Sequence, residues 1–208
     1  SNPVLSPGKR GCFDDSGVMP SCCIRFNQET RLYYTGWNIN KGQIPYGHGI
    51  GCAIVKEDGT LERFSLGPIL DRTVETPCLV NSPYVFCNKD ILEMWFCNGT
   101  GWDDNFPTYH ISHAVSENGI DWNVDVKNII GELNEACSRP SICVEKNVTK
   151  LWYSSKNKNS FYKINYIKKE NGICEKYKNI LPVSKNGWDS EMVCYPAIVK
   201  TKKGCYMY

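Results

Sequence analysis

A proline that opens an apolar stretch recurs four times in this chain, at Pro20 (MPSCCI), Pro83 (SPYVF), Pro140 (RPSICV) and Pro196 (YPAIV), with spacings of 63, 57 and 56 residues. A period of this size restricts the fold to architectures in which one supersecondary unit stacks on copies of itself. Three further features follow the first three prolines in the same order, and the first of them also follows the fourth. An aromatic strand comes first: LYYTGW from Leu32, MWFCNG from Met94, LWYSS from Leu151 and YMY from Tyr206. Next is an alternating segment ending in an acidic or amide turn with glycine: GCAIVKEDG to Gly59, YHISHAVSENG to Gly119 and YKINYIKKENG to Gly172. Asp-Gly and Asn-Gly at such ends are hairpin chemistry. A short aliphatic segment closes the unit: GPIL to Leu70, NII to Ile130 and NILPV to Val183.

Four short strands per unit of roughly 40–60 residues describe the blade of a β-propeller. Helical periodicity is nearly absent, and its best stretch, around Ile129 to Cys137, is interrupted by Gly131. The expected fold class is therefore all-β, a single propeller domain. The expected blades span about 13–72, 73–131 and 132–183, with a blade remnant over 1–12 and a partial blade over 184–208. Asn2-Pro3-Val4-Leu5 resembles the closing segments, and Cys205 to Tyr208 reads as a second strand, so the count reaches at least five blades. The expectation is a five-bladed propeller present as an incomplete fragment of three to four blades, with strand edges that invite association.

Charge excludes one class of partner. With 24 basic and 22 acidic side chains the net charge is +2, too small for nucleic-acid binding by bulk charge. No run of eighteen apolar residues is present to span a bilayer, and Ser1-Asn2-Pro3 does not begin a secretory signal. Twelve cysteines fall below the density of a disulfide scaffold. Most lie in apolar, strand-like runs (Cys52, Cys87, Cys97, Cys143, Cys194), where a thiol behaves as a small hydrophobe, so a reducing cytoplasm is expected. No metal site or other cofactor is expected. There is no C-x-x-C, and Cys22-Cys23, like His110 and His113, would point to opposite faces of a strand. The residues name no oligomeric state.

In a propeller the first strand of each blade borders the central channel, so residues just before the repeated prolines converge. Five positions before the proline stand Asp15, Glu135 and Glu191; the remaining unit has Cys78 there, with Glu75 three residues earlier. Carboxylates from separate blades can serve as the acid and base of glycoside hydrolysis, since crowding keeps one protonated while another ionises. The alternative is that they only hydrogen-bond the backbone of their loops. Trp37-Asn38, Trp102-Asp103-Asp104 and Trp188-Asp189-Ser190-Glu191 offer aromatic platforms beside polar acceptors, which suits the apolar faces and hydroxyl rims of sugars. Packing between blades suits Trp95 and Trp152 better. Asp14, Trp37, His48, Trp102, Arg139, Trp188 and Asp189 are the candidate substrate-binding residues. His48 would act as a proton carrier or hydroxyl partner, and Arg139 as a clamp for a carboxylate or phosphate. Asn98 and Asn147 head glycosylation-type triplets that read as coincidental.

Taken together, FDDSGVMPS (13–21), LYYTGWN (32–38), GPILDR (67–72), MWFCNGTGW (94–102), SRP (138–140) and GWDSEMVCYP (187–196) resemble five-bladed glycoside-hydrolase-like propeller proteins related to families 43 and 32, of the bacterial surface-polysaccharide type. The resemblance covers the whole chain. It implies an earlier blade upstream and further strands downstream. It also implies a base or nucleophile Asp, a supporting Asp and an acid Glu from separate blades; the Asp-Pro of the supporting residue here reads Ser82-Pro83, and Glu135 stands further from Pro140 than the family's acid. The expected function is glycoside-hydrolase-like action on a glycan, with Asp15 as base or nucleophile and Glu191 or Glu135 as acid. A non-catalytic carbohydrate-binding propeller and a sugar phosphorylase or transferase are the alternatives.

Overall fold

A computed structural model describes residues 3–208, apart from the side chains of residues 126–128. The described residues form fourteen strands and no helix. Strands β1 (Gly17–Phe26), β2 (Glu29–Ile39), β3 (Tyr46–Val55) and β4 (Leu61–Arg63) make one antiparallel sheet in sequence order. A second meander, β5 (Val80–Asn88), β6 (Ile91–Asp103), β7 (Phe106–Ser116) and β8 (Asn123–Ile130), repeats that order, as does a third, β9 (Ala136–Glu145), β10 (Val148–Lys156), β11 (Lys163–Glu170) and β12 (Ile173–Tyr177). One parallel bridge, Tyr109 to Ala136, joins the second and third. The hairpin β13 (Ile198–Thr201) and β14 (Gly204–Met207) follows.

The turn chemistry explains the meanders. Asn171 and Gly172, at φ 49° and 82°, are the two central residues of the β11–β12 hairpin, a primed turn whose twist matches its strands. Gly59 and Gly119 also sit in the left-handed region at their turns, at φ 81° and 75°. Asn27 and Gln28 make the same left-handed pair between β1 and β2 without any glycine (φ 48° and 68°).

The closing segments behave differently from the sequence expectation. The outer strand of the first meander is Leu61–Arg63, and GPIL forms a separate contact in which Ile50 N donates to Leu70 O at 2.9 Å and Ile69 N to Ile50 O at 2.8 Å. Ile130 pairs with Ile111, and Ile180 N donates to Ile164 O at 2.9 Å, in the same manner. In the first and third meanders the outer edge therefore breaks and touches its third strand twice, whereas β8 runs on to Ile130 with a register shift between Ile111 and His113. Within the predicted remnant 1–12, residues 1 and 2 lie outside the described residues, and residues 3–12 form loop and turn rather than strand.

Two cores lie between the meanders. Tyr33, Ile50, Cys52, Val85, Met94 and Phe96 pack the first against the second. Trp95, Ile111, Cys137, Ile142, Leu151 and Ile167 pack the second against the third. Strand β6 supplies both, because alternate side chains leave opposite faces: Met94 and Phe96 one way, Trp95 the other. Trp95 is thus a packing residue, whereas Trp152 is half-buried against Tyr166 at 4.9 Å on the far face of the third meander. Cys22 packs on the first core while Cys23 is exposed, as alternation requires. All twelve cysteines are free thiols. No helix among the described residues is long and apolar enough to cross a membrane.

Candidate functional site

An antiparallel meander brings the starts of its first and third strands and the end of its second to one edge. The repeated proline adds a distortion there, because it has no N–H for the ladder. Register shifts fall between Pro20 and Cys22, between Asn81 and Tyr84, and opposite Trp152 and Ser154, where β9 carries Arg139-Pro140. The residue before the proline takes a left-handed backbone in three units: Ser82 at φ 51°, Arg139 at 51° and Tyr195 at 62°. Such residues are strained and persist only where neighbours hold them.

The holders are equivalent side chains of the preceding unit. Ser82 N donates to Thr35 Oγ1 at 2.9 Å, and Tyr195 N donates to Ser154 Oγ at 2.6 Å. Arg139 N lies against Cys97 Sγ, a buried thiol whose pKa is raised by desolvation. Thr35, Cys97 and Ser154 occupy the same place in LYYT, MWFC and LWYS, so one polar atom per aromatic strand fixes the next unit's bulge. Arg139 then bridges further: Nη1 donates to Pro20 O at 3.5 Å, and its guanidinium lies 5.4 Å from the centre of the Tyr195 ring.

Around these bulges the strand ends form an aromatic floor. Trp37 pairs across the sheet with His48; Tyr46 stacks on His48 at 4.8 Å and meets Trp102 edge-on at 5.3 Å. Gly17 makes room for the first ring, since a Cβ there would stand 2.0 Å from Trp37 Nε1. His48 Nδ1 lies 3.2 Å from Asn81 Nδ2, tying the first meander to the second. Tyr162 and Tyr195 are 5.5 Å apart, and Lys156 Nζ lies 4.7 Å from the Tyr162 ring centre. Burial lowers the His48 pKa to about 4, and burial raises Tyr109, Tyr162 and Tyr195, so these rings are uncharged at neutral pH. The floor offers neutral hydrogen-bonding groups and ring faces, the chemistry of sugar hydroxyls and C–H faces.

The carboxylates have three different settings. Asp15 accepts hydrogen bonds from Gly11 N and Ser16 Oγ, each 2.9 Å, and these hold its pKa below the usual range. Glu135 accepts from Glu132 N at 3.2 Å and lines a polar cleft of about 300 Å³ with Lys156, Asn157, Lys163, Asn165 and Lys178. Glu191 is exposed and lines a different cavity of about 800 Å³ with Trp188, Leu181, Met192 and Tyr208. Glu135 and Glu191 thus open into separate spaces.

Trp188 is 96% exposed, and the carboxylate of its neighbour Asp189 accepts from Ser184 Oγ at 2.8 Å. Asp14 departs from the sequence expectation of substrate contact. It is wholly buried, accepting from Arg63 Nε at 2.8 Å and Tyr34 Oη at 3.1 Å, and a Cβ on Gly8 would lie 1.9 Å from its Oδ1. Packing, not solvent, surrounds it.

Of the residues expected to bind substrate, Trp37, His48, Trp102 and Arg139 belong to the floor or its bridge. Tyr46, Asn81, Lys156, Tyr162 and Tyr195 belong there too, although the sequence reading did not single them out. Tyr195 had a usable signal: it precedes Pro196 as Arg139 precedes Pro140. The Asn98 amide is buried and donates to Glu75 O and Ser112 Oγ, which removes it as a glycosylation acceptor. Cys143, Glu145 and Cys205 bring possible metal ligands within 4.8 Å of one another, yet Glu145 is already ion-paired with Lys150 and Lys200.

No family model matches the chain. The uncharacterized proteins Rv1502 and MT1551 of Mycobacterium tuberculosis are each 30% identical to it over 207 residues, covering 95% of this chain and 68% of the relative. The chain belongs to the Rv1502 family. Solved structures place this Rv1502-family chain in a larger fold group. A glycosyl hydrolase from Bacteroides ovatus superposes with a TM-score of 0.73 at 16% identity, covering 99% of this chain and 66% of that one. The Bombyx mori family-32 β-fructofuranosidase gives 0.70 at 13% identity, covering 98% and 43%. An α-L-arabinofuranosidase from Clostridium thermocellum gives 0.62 at 18%, covering 91% and 59%. The chain spans about two thirds or less of these solved chains, and it shares the all-β fold of the propeller glycoside hydrolases.

Proposed function

We propose that this protein is a glycoside-hydrolase-like propeller that takes a glycan onto the aromatic floor, in a five-bladed ring to which this chain contributes blades over 13–72, 73–131 and 132–183 and a partial blade over 184–208. The observation that carries this reading is the continuity of Trp37, His48, Tyr46 and Trp102 across two meanders, with Asn81 as polar partner. Asp15, held ionised by Gly11 N and Ser16 Oγ, is suited to the base or nucleophile role and not to that of the acid. Glu135 is an acid candidate by position, because its cleft also holds Lys156, which touches the Tyr162 end of the floor. Glu191 is the other acid in this reading. Cytoplasmic residence is part of the proposal and is supported by Cys52, Cys97 and Cys137 packing as buried apolar side chains.

One observation favours a second reading, glycan binding without turnover: Glu135 and Glu191 line separate cavities. A panel of aryl and alkyl glycosides, assayed with and without phosphate, separates the possibilities. Hydrolysis predicts turnover that falls about a hundredfold or more in Asp15→Asn. The acid is whichever of Glu135→Gln and Glu191→Gln slows alkyl glycosides far more than aryl ones, because only a poor leaving group needs the proton. Glycan binding that depends on Trp37 and Trp102, with no turnover of any substrate, would establish the binding module instead. A rate proportional to added phosphate would establish a phosphorylase.

A further inference from the structure

The two cations that lie on the rings of Tyr162 and Tyr195 form no ion pair with a carboxylate among the described residues. Lys150, Lys158, Lys168, Lys178 and Lys200 each form an ion pair with Asp or Glu, as do Arg31 and Arg63. Arg139 and Lys156 do not. Both are half-buried and both rest on rings: Arg139 lies 5.4 Å from the centre of Tyr195, and Lys156 lies 4.7 Å from Tyr162 and 5.5 Å from Phe106. Since Tyr162 and Tyr195 are themselves 5.5 Å apart, the four side chains form one strip with two aromatic rings in the middle and a positive charge at each end.

The placement of Arg139 is costly. Its guanidinium has lost part of its water while gaining, among the described residues, a long hydrogen bond to Pro20 O and one ring face. An arrangement of that kind is relieved by an incoming anion. Resting on the glycan reading above, we infer that the strip recognises a sugar bearing a negative substituent, a carboxylate or a phosphate ester. The ring of such a sugar lies on Tyr162 and Tyr195, and its anionic group meets Arg139 or Lys156. The guanidinium can grip either anion with two parallel hydrogen bonds, whereas the ammonium acts as a point charge. Lys156 also lines the cleft of Glu135, so a sugar held there lies next to that carboxylate.

Titration calorimetry of the full chain with galacturonate oligomers, mannose-6-phosphate oligosaccharides and uncharged xylo-oligosaccharides tests this. The expected result is binding of one anionic class that weakens as salt rises. Arg139→Gln and Lys156→Gln should each lower that affinity about five- to tenfold, a larger loss than either causes for the uncharged oligosaccharides. The preferred class identifies the anion as carboxylate or phosphate. Lys156→Gln removes no protein hydrogen bond among the described residues, so it tests the inference even where Arg139→Gln unfolds. Equal binding of charged and neutral sugars, indifferent to both substitutions, overturns the inference and leaves the glycan reading in place. Inorganic phosphate binding as well as the sugar phosphate overturns it too. If no oligosaccharide of any class binds, the glycan reading itself fails.

Discussion

Burial makes His48 a neutral ring, and that has a measurable consequence for stability. Its pKa falls from 6.5 to about 4, so between those values the unfolded chain binds a proton that the folded chain refuses. Stability from this group is present in full above pH 6.5, is lost as pH drops through the window, and changes no further below about 4. The loss is at most roughly 3 kcal/mol. In His48→Asn this component of the pH dependence disappears, which urea titrations at pH 7, 5.5 and 4 would reveal as a flatter profile than that of the wild type. Asp14 is a residue of the opposite kind, with its charge consumed inside the first meander by Arg63. Asp14→Ala leaves that guanidinium without its partner and should cost about 3 kcal/mol, read as a lower Tm. Its sequence position beside Asp15 suggested the substrate surface. The two residues lie in a turn, where Asp15 N donates to Cys12 O, and the close approach of Gly8 to Asp14 marks which of them turns inward.

At the scale of elements, the proline bulge and its polar clamp are what join one meander to the next. Thr35 and Ser82 are both buried, so Thr35→Val keeps the shape of the side chain but strands the Ser82 N–H without an acceptor. A loss of about 1–3 kcal/mol is expected in denaturant unfolding. Phe96, wholly buried between the first two meanders, should cost about 3–5 kcal/mol as Phe96→Ala in the same assay. The order of strands was legible from the chain because alternation and Asn-Gly turns act between residues close in sequence. The clamp was not read from it, although LYYT, MWFC and LWYS carry it at a constant offset, because Thr, Cys and Ser do not look alike until their shared acceptor role is seen. The outer strands were misplaced for a related reason. Leu61–Arg63 is short and polar, while the more apolar GPIL makes only a bridge to Ile50.

Across the whole molecule, three meanders pack face to face through two cores, and the far face of the third carries Trp152, Tyr166 and Tyr177 in a cross-strand row. Strand β12 is exposed along all five residues, and Leu181, Val183, Trp188 and Met192 are exposed nearby. Apolar surface of this extent beside an unpaired strand edge favours association. Light scattering of this chain should show a mass that rises with concentration, and Trp188→Ser with Ile173→Lys should reduce it; a constant monomer mass over the micromolar to millimolar range would contradict this.

The recurrence of four strands, the all-β class and the supply of aromatic and acidic loop residues were set by the sequence itself, because each depends on spacings of a few residues repeated along the chain. Which of those residues meet was decided only by the tertiary structure. Arg139 reaches Pro20 across 119 positions, Asp14 turns inward, and Glu135 and Glu191 open into different cavities, since the twist and packing of successive sheets determine how their edges converge, and no local pattern records that geometry.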